Sequence, residues 1–205
     1  MALSPDGILL TGRVAVVTGG AEGVGRVVAE AFEAFGASVA VCDRVKIAGG
    51  QGLAMTLDVR DPVAADVFAR AVEERYGRVD ILVNSAGGAC HTSFAETTAM
   101  GERTLIEENF TQLTAMIRRL LPLMRAGSSI INIGAAPGFA IQAAMTAAVA
   151  GLTASLAAEL APIRVNAIAP GRPPGDLSGA AAVAVFLAGE MARLVTGTTI
   201  HVGQE

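Results

Sequence analysis

The sequence predicts a single α/β domain in which helices cover both faces of a parallel β-sheet. Short runs rich in Val, Ile and Leu alternate along the chain with longer segments of helical periodicity, a pattern typical of repeated strand–helix units. The strand segments are apolar almost throughout, so both of their faces are expected to be covered. The chain has 205 residues, 52% of them hydrophobic, which suits one well-buried core. We therefore expect residues 1–205 to form one domain.

Strands and helices are predicted from bounded apolar runs and from apolar residues spaced three and four apart. The predicted strands are Arg13–Thr18, Ser38–Cys42, Leu53–Leu57, Asp80–Asn84, Ser129–Ile133, Arg164–Ala169 and Thr198–Val202. The predicted helices are approximately Val24–Phe35, Pro62–Tyr76, Glu102–Met124, Ile141–Leu160 and Ala180–Ala188. Gly36 and Gly77 directly follow the first two helices, where glycine commonly ends a helix.

The second crossover is unusually short. Between Asp43 and Leu53 lie nine residues, four of them Ala or Gly, whereas a crossover with its helix normally needs about ten to twelve. We expect a loop or a single turn here, which would leave one side of the sheet thinly covered.

Composition excludes several classes of function. The net charge of −4 without runs of like charge provides no basic surface for nucleic acid. Two cysteines, Cys42 and Cys90, are too few for a disulfide framework and indicate reduced thiols in a cytoplasmic protein. No basic leader precedes the short apolar run Ile8–Leu10, so no signal peptide is expected. We find no spacing of side chains typical of a metal site.

One uncharged stretch, between Arg125 and Glu159, is long enough to cross a bilayer. Pro137-Gly138 interrupts it, however, and Asn132 and Gln142 would need polar partners within lipid. A strand followed by a buried helix is therefore the preferred interpretation, and no membrane segment is expected.

A glycine-rich loop follows the first strand. The segment Thr18–Gly25 (TGGAEGVG) joins a strand to a helix, where glycines allow the backbone to approach a pyrophosphate at the helix N-terminus. Asp43 ends the next strand, where its carboxylate can accept a hydrogen bond from a ribose 2′-hydroxyl. Together these features predict a Rossmann-type, doubly wound sheet that binds a dinucleotide. Alternatively, the glycines persist only because the helix must pack on the strand.

These motifs resemble those of the short-chain dehydrogenase/reductase family. Thr-Gly-x3-Gly-x-Gly is similar to the cofactor loop of the family, and the resemblance extends over nearly the whole chain. The further matching segments are Asp58-Val59 (set against the adenine in the family), Asn84-Ser85-Ala86-Gly87, Phe94-x-Glu96-Thr97-Thr98 with Asn109, and Ile163–Gly171. The resemblance implies NAD as a possible cofactor, because Asp43 would repel a 2′-phosphate, although adjacent Arg44 leaves NADP open. The implied contacts are Gly19, Gly23, Val24, Gly25, Asp43, Asp58, Val59, Asn84, Ala86 and Gly87.

The resemblance also implies that the catalytic residues are missing. The family places a Ser after the fifth strand and a Tyr-x3-Lys motif on the next helix. Gly151-Leu152-Thr153 matches the Gly-Leu-Thr that follows Tyr-x3-Lys in the family. This alignment puts Gln142 at the Tyr position and Thr146 at the Lys position. Alignment of the end of the fifth strand puts Ala135 at the Ser position. An amide cannot exchange a proton near neutral pH, and a positioned acid/base contributes about 10²–10⁴-fold to rate. The chain therefore resembles a catalytically inactive member, a pseudoenzyme.

The segments that carry substrate in the family are also shortened. Few residues separate Ala135 from Gln142, and Arg172–Asp176 leads almost directly into the last predicted helix. We therefore expect the family's substrate-binding segment to be missing.

The sequence then predicts a non-catalytic subunit. The helix at 141–160 is uncharged until Glu159, and a helix that is apolar on all sides is expected to be buried on all sides. By the resemblance, helices 107–124 and 141–160 would contact a second subunit, either an active homologous dehydrogenase or another copy of this chain. The partner would oxidise an alcohol or reduce a ketone with NAD, a hydroxyacyl thioester being one candidate.

Two alternatives remain open. One is a homodimeric NAD-binding sensor or scaffold. The other is a divergent NAD-dependent oxidoreductase in which His91, in the loop that leaves the fourth strand, serves as the acid. For His91 itself, a solvated loop residue without a chemical role is the favoured interpretation.

Overall fold

The computed structural model describes residues 4–50, 52–88, 92–134, 139–171 and 177–203. Within them, seven strands form one parallel sheet. The strands are β1 (Val14–Thr18), β2 (Ser38–Asp43), β3 (Leu53–Thr56), β4 (Val79–Asn84), β5 (Met124–Ile133), β6 (Arg164–Pro170) and β7 (Thr199–Val202). The α-helices are α1 (Gly23–Ala34), α2 (Pro62–Tyr76), α3 (Ala99–Ile106), α4 (Gln112–Leu120), α5 (Ala140–Glu159) and α6 (Ser178–Ala188). The predicted α/β class is confirmed.

The strand order is β3-β2-β1-β4-β5-β6-β7, so the direction of winding reverses between β1 and β4. One core layer joins the sheet to α1 and α6 and contains Phe32 and Leu187. The layer on the opposite face joins the sheet to α2, α4 and α5 and contains Phe68 and Met116. Because parallel strands all point the same way, their carboxyl ends meet at one edge, and a reversal in winding order opens a crevice there.

The predicted long helix Glu102–Met124 is wrong as a single helix. The structure divides it into α3, a π-helical turn at Glu107–Thr111 and α4, which ends at Leu120. Pro122 lies in the following 3₁₀ turn, where its missing N–H cannot continue an α-helix. Met124 already pairs with Val79 as the first residue of β5, before the register shifts to Ile81 with Ser129.

The short second crossover is confirmed. Its described residues, 44–50 and 52, form no helix. On β3, Ala54 and Thr56 are exposed while Leu53 and Met55 are half-buried and pack towards α2. One face of this edge strand is therefore uncovered, as expected from the missing crossover helix.

The uncharged stretch before Glu159 forms β5 and α5, as predicted. By length and a mean hydropathy of 1.5, α5 could cross a bilayer, but it packs on β6 and on the sheet core. Only 22% of the apolar stretch of α5 is buried, so the expectation that this helix is buried on all sides does not hold within this chain.

Four apolar side chains of α4 belong to the core of this domain. Leu113, Met116, Ile117 and Leu120 are buried in the core of this domain. They therefore pack against their own sheet and are not available to contact a second subunit.

Candidate functional site

A cavity of about 460 Å³ lies at the carboxyl ends of the central strands. Its walls come from the loop between β1 and α1, the end of β2, the segment after β3, the segment after β4, the π-helical turn, the inner face of α5 and the end of β6. This is the crevice at the reversal in winding order, where open α/β sheets bind their ligands.

The glycine-rich loop packs too closely for side chains. Gly19 has φ +68°, and a Cβ on it would lie 2.6 Å from the Ala86 nitrogen. A Cβ on Gly25, in the first turn of α1, would lie 2.0 Å from the Gly19 carbonyl oxygen. The loop, the start of α1 and the segment after β4 can therefore approach one another only because these positions are glycine.

Asp43 joins this loop to the end of β2. Its carboxylate accepts hydrogen bonds from the Ala21 N–H (2.9 Å) and the Val45 N–H (3.1 Å). A carboxylate can accept about four hydrogen bonds, so Asp43, which lines the cavity, can still accept one from a ribose hydroxyl. Thr18 Oγ1 accepts from the Ser85 and Ala86 N–H groups, both at 3.2 Å, and ties the ends of β1 and β4 together.

Charged side chains line the wall beyond Asp43. Arg60 donates to both carboxylate oxygens of Asp58 and, through Nη1, to Glu108 Oε1 at 3.0 Å. Arg44 Nη1 lies 3.4 Å from the same Glu108 oxygen. The hydrogen bonds from Arg60 hold the pKa of Asp58 below its ordinary value.

The opposite end of the cavity, here called the α5 end, carries no ionisable group among its described residues. These are Ile133, Gly134, Gln142, Met145, Thr146, Val149, Pro170, Gly171 and Leu177. Gln142 is 7% exposed, and Thr146 Oγ1 donates to the Gln142 carbonyl oxygen at 3.2 Å. The polar atoms of this end belong to neutral amide, hydroxyl and backbone groups, which do not transfer protons near neutral pH.

Two further buried groups border the cavity. Gln112 is 3% exposed and donates to the Ala86 carbonyl oxygen at 2.6 Å, while its Oε1 has no partner in the part of the chain that is described. Burial raises the pKa of the Cys42 thiol far above its ordinary value, so this cysteine is not a nucleophile near neutral pH.

Most of the predicted site residues meet in this cavity. The predicted residues that line it are Gly19, Gly23, Val24, Asp43, Asp58, Val59, Ala86, Gly87, Gln142 and Thr146. Gly25 lies beneath the loop, and Asn84 is 1% exposed and donates to Asn132 Oδ1 at 2.9 Å. Ala135, Cys90, His91 and the segment 172–176 lie outside the described residues.

Sequence reasoning missed Arg60, Glu108 and Gln112. The two-residue spacing of Asp58 and Arg60 is a local signal for their ion pair. Nothing local indicates that Glu108, 48 residues later, reaches the same guanidinium.

The residues present fit a dinucleotide. Close backbone approach at Gly19 and Gly25, the N-terminus of α1 and the carboxylate of Asp43 provide the contacts that a pyrophosphate and a ribose require.

Comparisons with known proteins agree with this geometry. Residues 19–174 match the family model described as "Enoyl-(Acyl carrier protein) reductase". The chain is 32% identical to the rhamnolipids biosynthesis 3-oxoacyl-[acyl-carrier-protein] reductase of Pseudomonas aeruginosa, covering 82% of this chain and 76% of that protein. It is 31% identical to the 3-oxoacyl-[acyl-carrier-protein] reductase of Escherichia coli K12, covering 93% and 96%. A dehydrogenase/reductase structure from Sinorhizobium meliloti superposes with a TM-score of 0.88 at 30% identity, covering 96% of each chain.

The comparison with the E. coli reductase also bears on the short connections. It extends over 237 positions, more than the 205 residues of this chain, so the relative carries residues with no counterpart here. The sheet, the cavity and these similarities lead to one conclusion: the chain belongs to the short-chain dehydrogenase/reductase family, whose members related to it include 3-oxoacyl-[acyl-carrier-protein] reductases.

Proposed function

We propose that this chain is a non-catalytic subunit that binds NAD and supports an active homologous dehydrogenase. The observation that carries the proposal is that the two faces of α5 have different surroundings. The inner face of this helix meets the cavity without an ionisable side chain, and its outer face is apolar and exposed.

The inner face argues against acid–base chemistry by the isolated chain. By the family alignment, Gln142 and Thr146 stand where Tyr and Lys act in the family, and both line the cavity. The Gln142 amide can orient a hydroxyl or carbonyl group but cannot donate a proton as an acid. Bound NAD would supply a hydride acceptor for alcohol oxidation, and its reduced form a hydride donor for ketone reduction. The proton that the first reaction releases and the second consumes has no ionisable acceptor or donor among the described residues of the α5 end.

The opposite end of the cavity supports nucleotide binding. The Asp43 carboxylate would accept a ribose hydroxyl and repel a 2′-phosphate, which favours NAD over NADP. Arg44 does not overturn this preference, because its guanidinium is directed to Glu108.

The outer face supports association with another subunit. Apart from Glu159 at the end of the helix, its exposed residues are all small: Ala140, Ala143, Ala144, Ala147, Gly151, Ala154, Ser155 and Ala158. Small side chains permit close helix approach, and an apolar face of this length is costly to leave in water. A partner with the same fold offers a matching helix. Because the apolar side chains of α4 are buried within the domain, residues 107–124 would contribute only through their exposed side chains, and α5 would provide the main contact.

The partner's reaction follows from the relatives. Two of them are 3-oxoacyl-[acyl-carrier-protein] reductases, which favours a ketone on an acyl thioester as the substrate of the complex. A cytoplasmic location fits this role.

The test is expression of the tagged chain in its native cells, followed by identification of co-purifying proteins and by assays on the isolated chain. We expect a homologue with an intact Tyr-x3-Lys motif to co-purify, and we expect the isolated chain to bind NAD in calorimetry without turnover of 3-oxoacyl thioesters. Turnover by the isolated chain that disappears in His91→Ala would establish the divergent enzyme instead. A lone homodimer that binds NAD would establish the sensor or scaffold.

Restoring the family residues provides an independent check. We expect the Gln142→Tyr/Thr146→Lys double variant to gain measurable ketone reduction over the parent chain, with Thr153→Ser as a matched change elsewhere on α5. An equal rate in parent and double variant would show that the missing acid is not what limits the isolated chain.

A further inference from the structure

An ion-pair bridge joins two walls of the cavity. Arg60 follows β3, whereas Glu108 belongs to the π-helical turn beyond β4, and both line the cavity. Arg60 Nη1 lies 3.0 Å from Glu108 Oε1, and the two side chains are 32% and 17% exposed. Arg44 Nη1 approaches the same oxygen at 3.4 Å. We call the Arg60–Glu108 pair the bridge.

Arg60, the basic member of the bridge, also donates hydrogen bonds to the Asp58 carboxylate. Asp58 Oδ1 accepts from the Arg60 N–H (2.9 Å) and from Nε (3.0 Å), and Oδ2 accepts from Nη2 (2.6 Å). A bidentate pair of this kind is geometrically specific and strong. A ligand amino group must therefore compete with Arg60 for the Asp58 carboxylate.

The Glu108 side chain covers the part of the cavity wall that is formed by Gly88. A Cβ on Gly88 would lie 1.8 Å from Glu108 Oε2, so the carboxylate is packed directly against the Gly88 backbone. Gly87 and Gly88 line the same wall. A flat ring can contact this backbone only if the Glu108 side chain moves.

The position of this wall relative to Asp43 indicates which ligand group it meets. Leu57 N–H donates to the Asp43 carbonyl oxygen at 2.7 Å, so Asp58 directly follows the residue hydrogen-bonded to Asp43. Asp58, Gly88 and Glu108 line the same cavity as Asp43, so a base attached to a ribose on Asp43 would be expected against this wall.

We propose that Arg60 and Glu108 determine the nucleotide affinity of this cavity, because an adenine base must displace Glu108 from Arg60 and share Asp58 with it. This inference rests on the proposed binding of a dinucleotide. Loss of Glu108 from the bridge frees the backbone surface at Gly88, and loss of Arg60 also frees the acceptor oxygens of Asp58. The chain therefore binds adenine nucleotides more weakly than the same cavity would without the bridge.

The experiment measures binding of adenosine by calorimetry, because an uncharged probe removes long-range attraction between ligand and protein. The variants are Glu108→Gln, Arg60→Gln and the double variant, with exposed Glu102→Gln on α3 as the charge-matched control. We expect each single variant to bind adenosine about two- to fivefold more tightly, a change of about 0.4–1 kcal/mol. The double variant should gain no more than the larger single effect, because either substitution alone removes the pair.

The salt dependence of adenosine binding provides a second readout. Ionic strength screens partly exposed ion pairs, so the affinity of the parent chain for uncharged adenosine should rise from low to high salt. That of the double variant should stay constant. If Arg60→Gln fails to fold in a thermal melt, Glu108→Gln and the salt series carry the test.

The outcomes separate this inference from the proposed function. Adenosine affinity that is unchanged or lower in Glu108→Gln, together with normal NAD binding, overturns the role of the bridge and leaves the proposed function standing. No binding of NAD or adenosine by any variant overturns both. Tighter adenosine binding with unchanged affinity for nicotinamide mononucleotide confirms that the bridge acts on the adenine half.

Discussion

Replacing Gly25 by alanine is expected to damage both stability and nucleotide binding. The new Cβ would lie 2.0 Å from the Gly19 carbonyl oxygen, 2.8 Å from the Gly19 carbonyl carbon and 3.1 Å from Ser85 Oγ. The first two are backbone atoms that no rotamer change can move. The glycine-rich loop must therefore shift by more than about 1 Å to restore ordinary contact distances.

The magnitude follows from two opposing effects. Overpacking of this kind costs about 1–3 kcal/mol, and alanine in a helix regains about 0.4–1 kcal/mol relative to glycine. The net loss of about 1–2 kcal/mol corresponds to a fall in Tm of about 2–8 °C for a chain of this size. Because the Gly19 backbone must move, NAD affinity should fall at least about tenfold, since misplaced donors lose their charge-assisted hydrogen bonds to phosphate.

Gly101→Ala is the matched control. Gly101 is the third residue of α3, as Gly25 is of α1, but its Cβ would meet only side-chain atoms at 3.4 and 3.7 Å. Thermal melts and NAD calorimetry on both variants decide the question. If Gly25→Ala melts and binds NAD like Gly101→Ala, the close packing at the loop controls neither stability nor nucleotide binding.

Three further predictions concern single side chains. Arg164→Met should lower the free energy of unfolding, measured by urea titration, by about 2–4 kcal/mol. The reason is that the buried Arg164 guanidinium donates to the carbonyl oxygens at the end of α6. An unchanged free energy of unfolding would show that these carbonyl oxygens find other donors. In a Cys90→Ser variant, the Cys42 thiol should react with a thiol reagent only when the chain unfolds. Burial raises the pKa of this thiol and so lowers its thiolate fraction at every pH. Rapid labelling of the folded chain would contradict this prediction. The pKa of Asp58 is lowered in the folded state by Arg60, so its stabilisation is present above about pH 4 and is lost as the pH falls through the folded pKa. Asp58→Asn should therefore flatten the dependence of stability on pH below about pH 4, and an unchanged loss of stability in acid would refute the assignment.

Local patterns were sufficient for most elements of the sheet. Strand segments such as Arg164–Ala169 are apolar and bounded by turn residues, and the structure places them within one or two residues of their predicted limits, except that β5 begins at Met124 and not at the predicted Ser129. The exception was the region from Ala99 to Met124. There the apolar periodicity continues across the π-helical turn, and that turn widens where the side chains of Asn109 and Gln112 bond to the segment after β4. Such contacts are distant in sequence and leave no local signal.

By itself, the sequence determined the α/β class, the glycine-rich loop, the acidic residue that ends β2 and the neutral side chains at positions 142 and 146. Each depends on residue type and on neighbours within a few positions, because backbone preference and hydrophobic periodicity are local properties. Only the tertiary structure decided that α4 turns its apolar side chains inward, that α5 leaves a face exposed and that Glu108 meets Arg60 across the cavity. These outcomes depend on which surfaces the sheet brings together, and the contacts of a folded chain are set by packing among elements far apart in sequence.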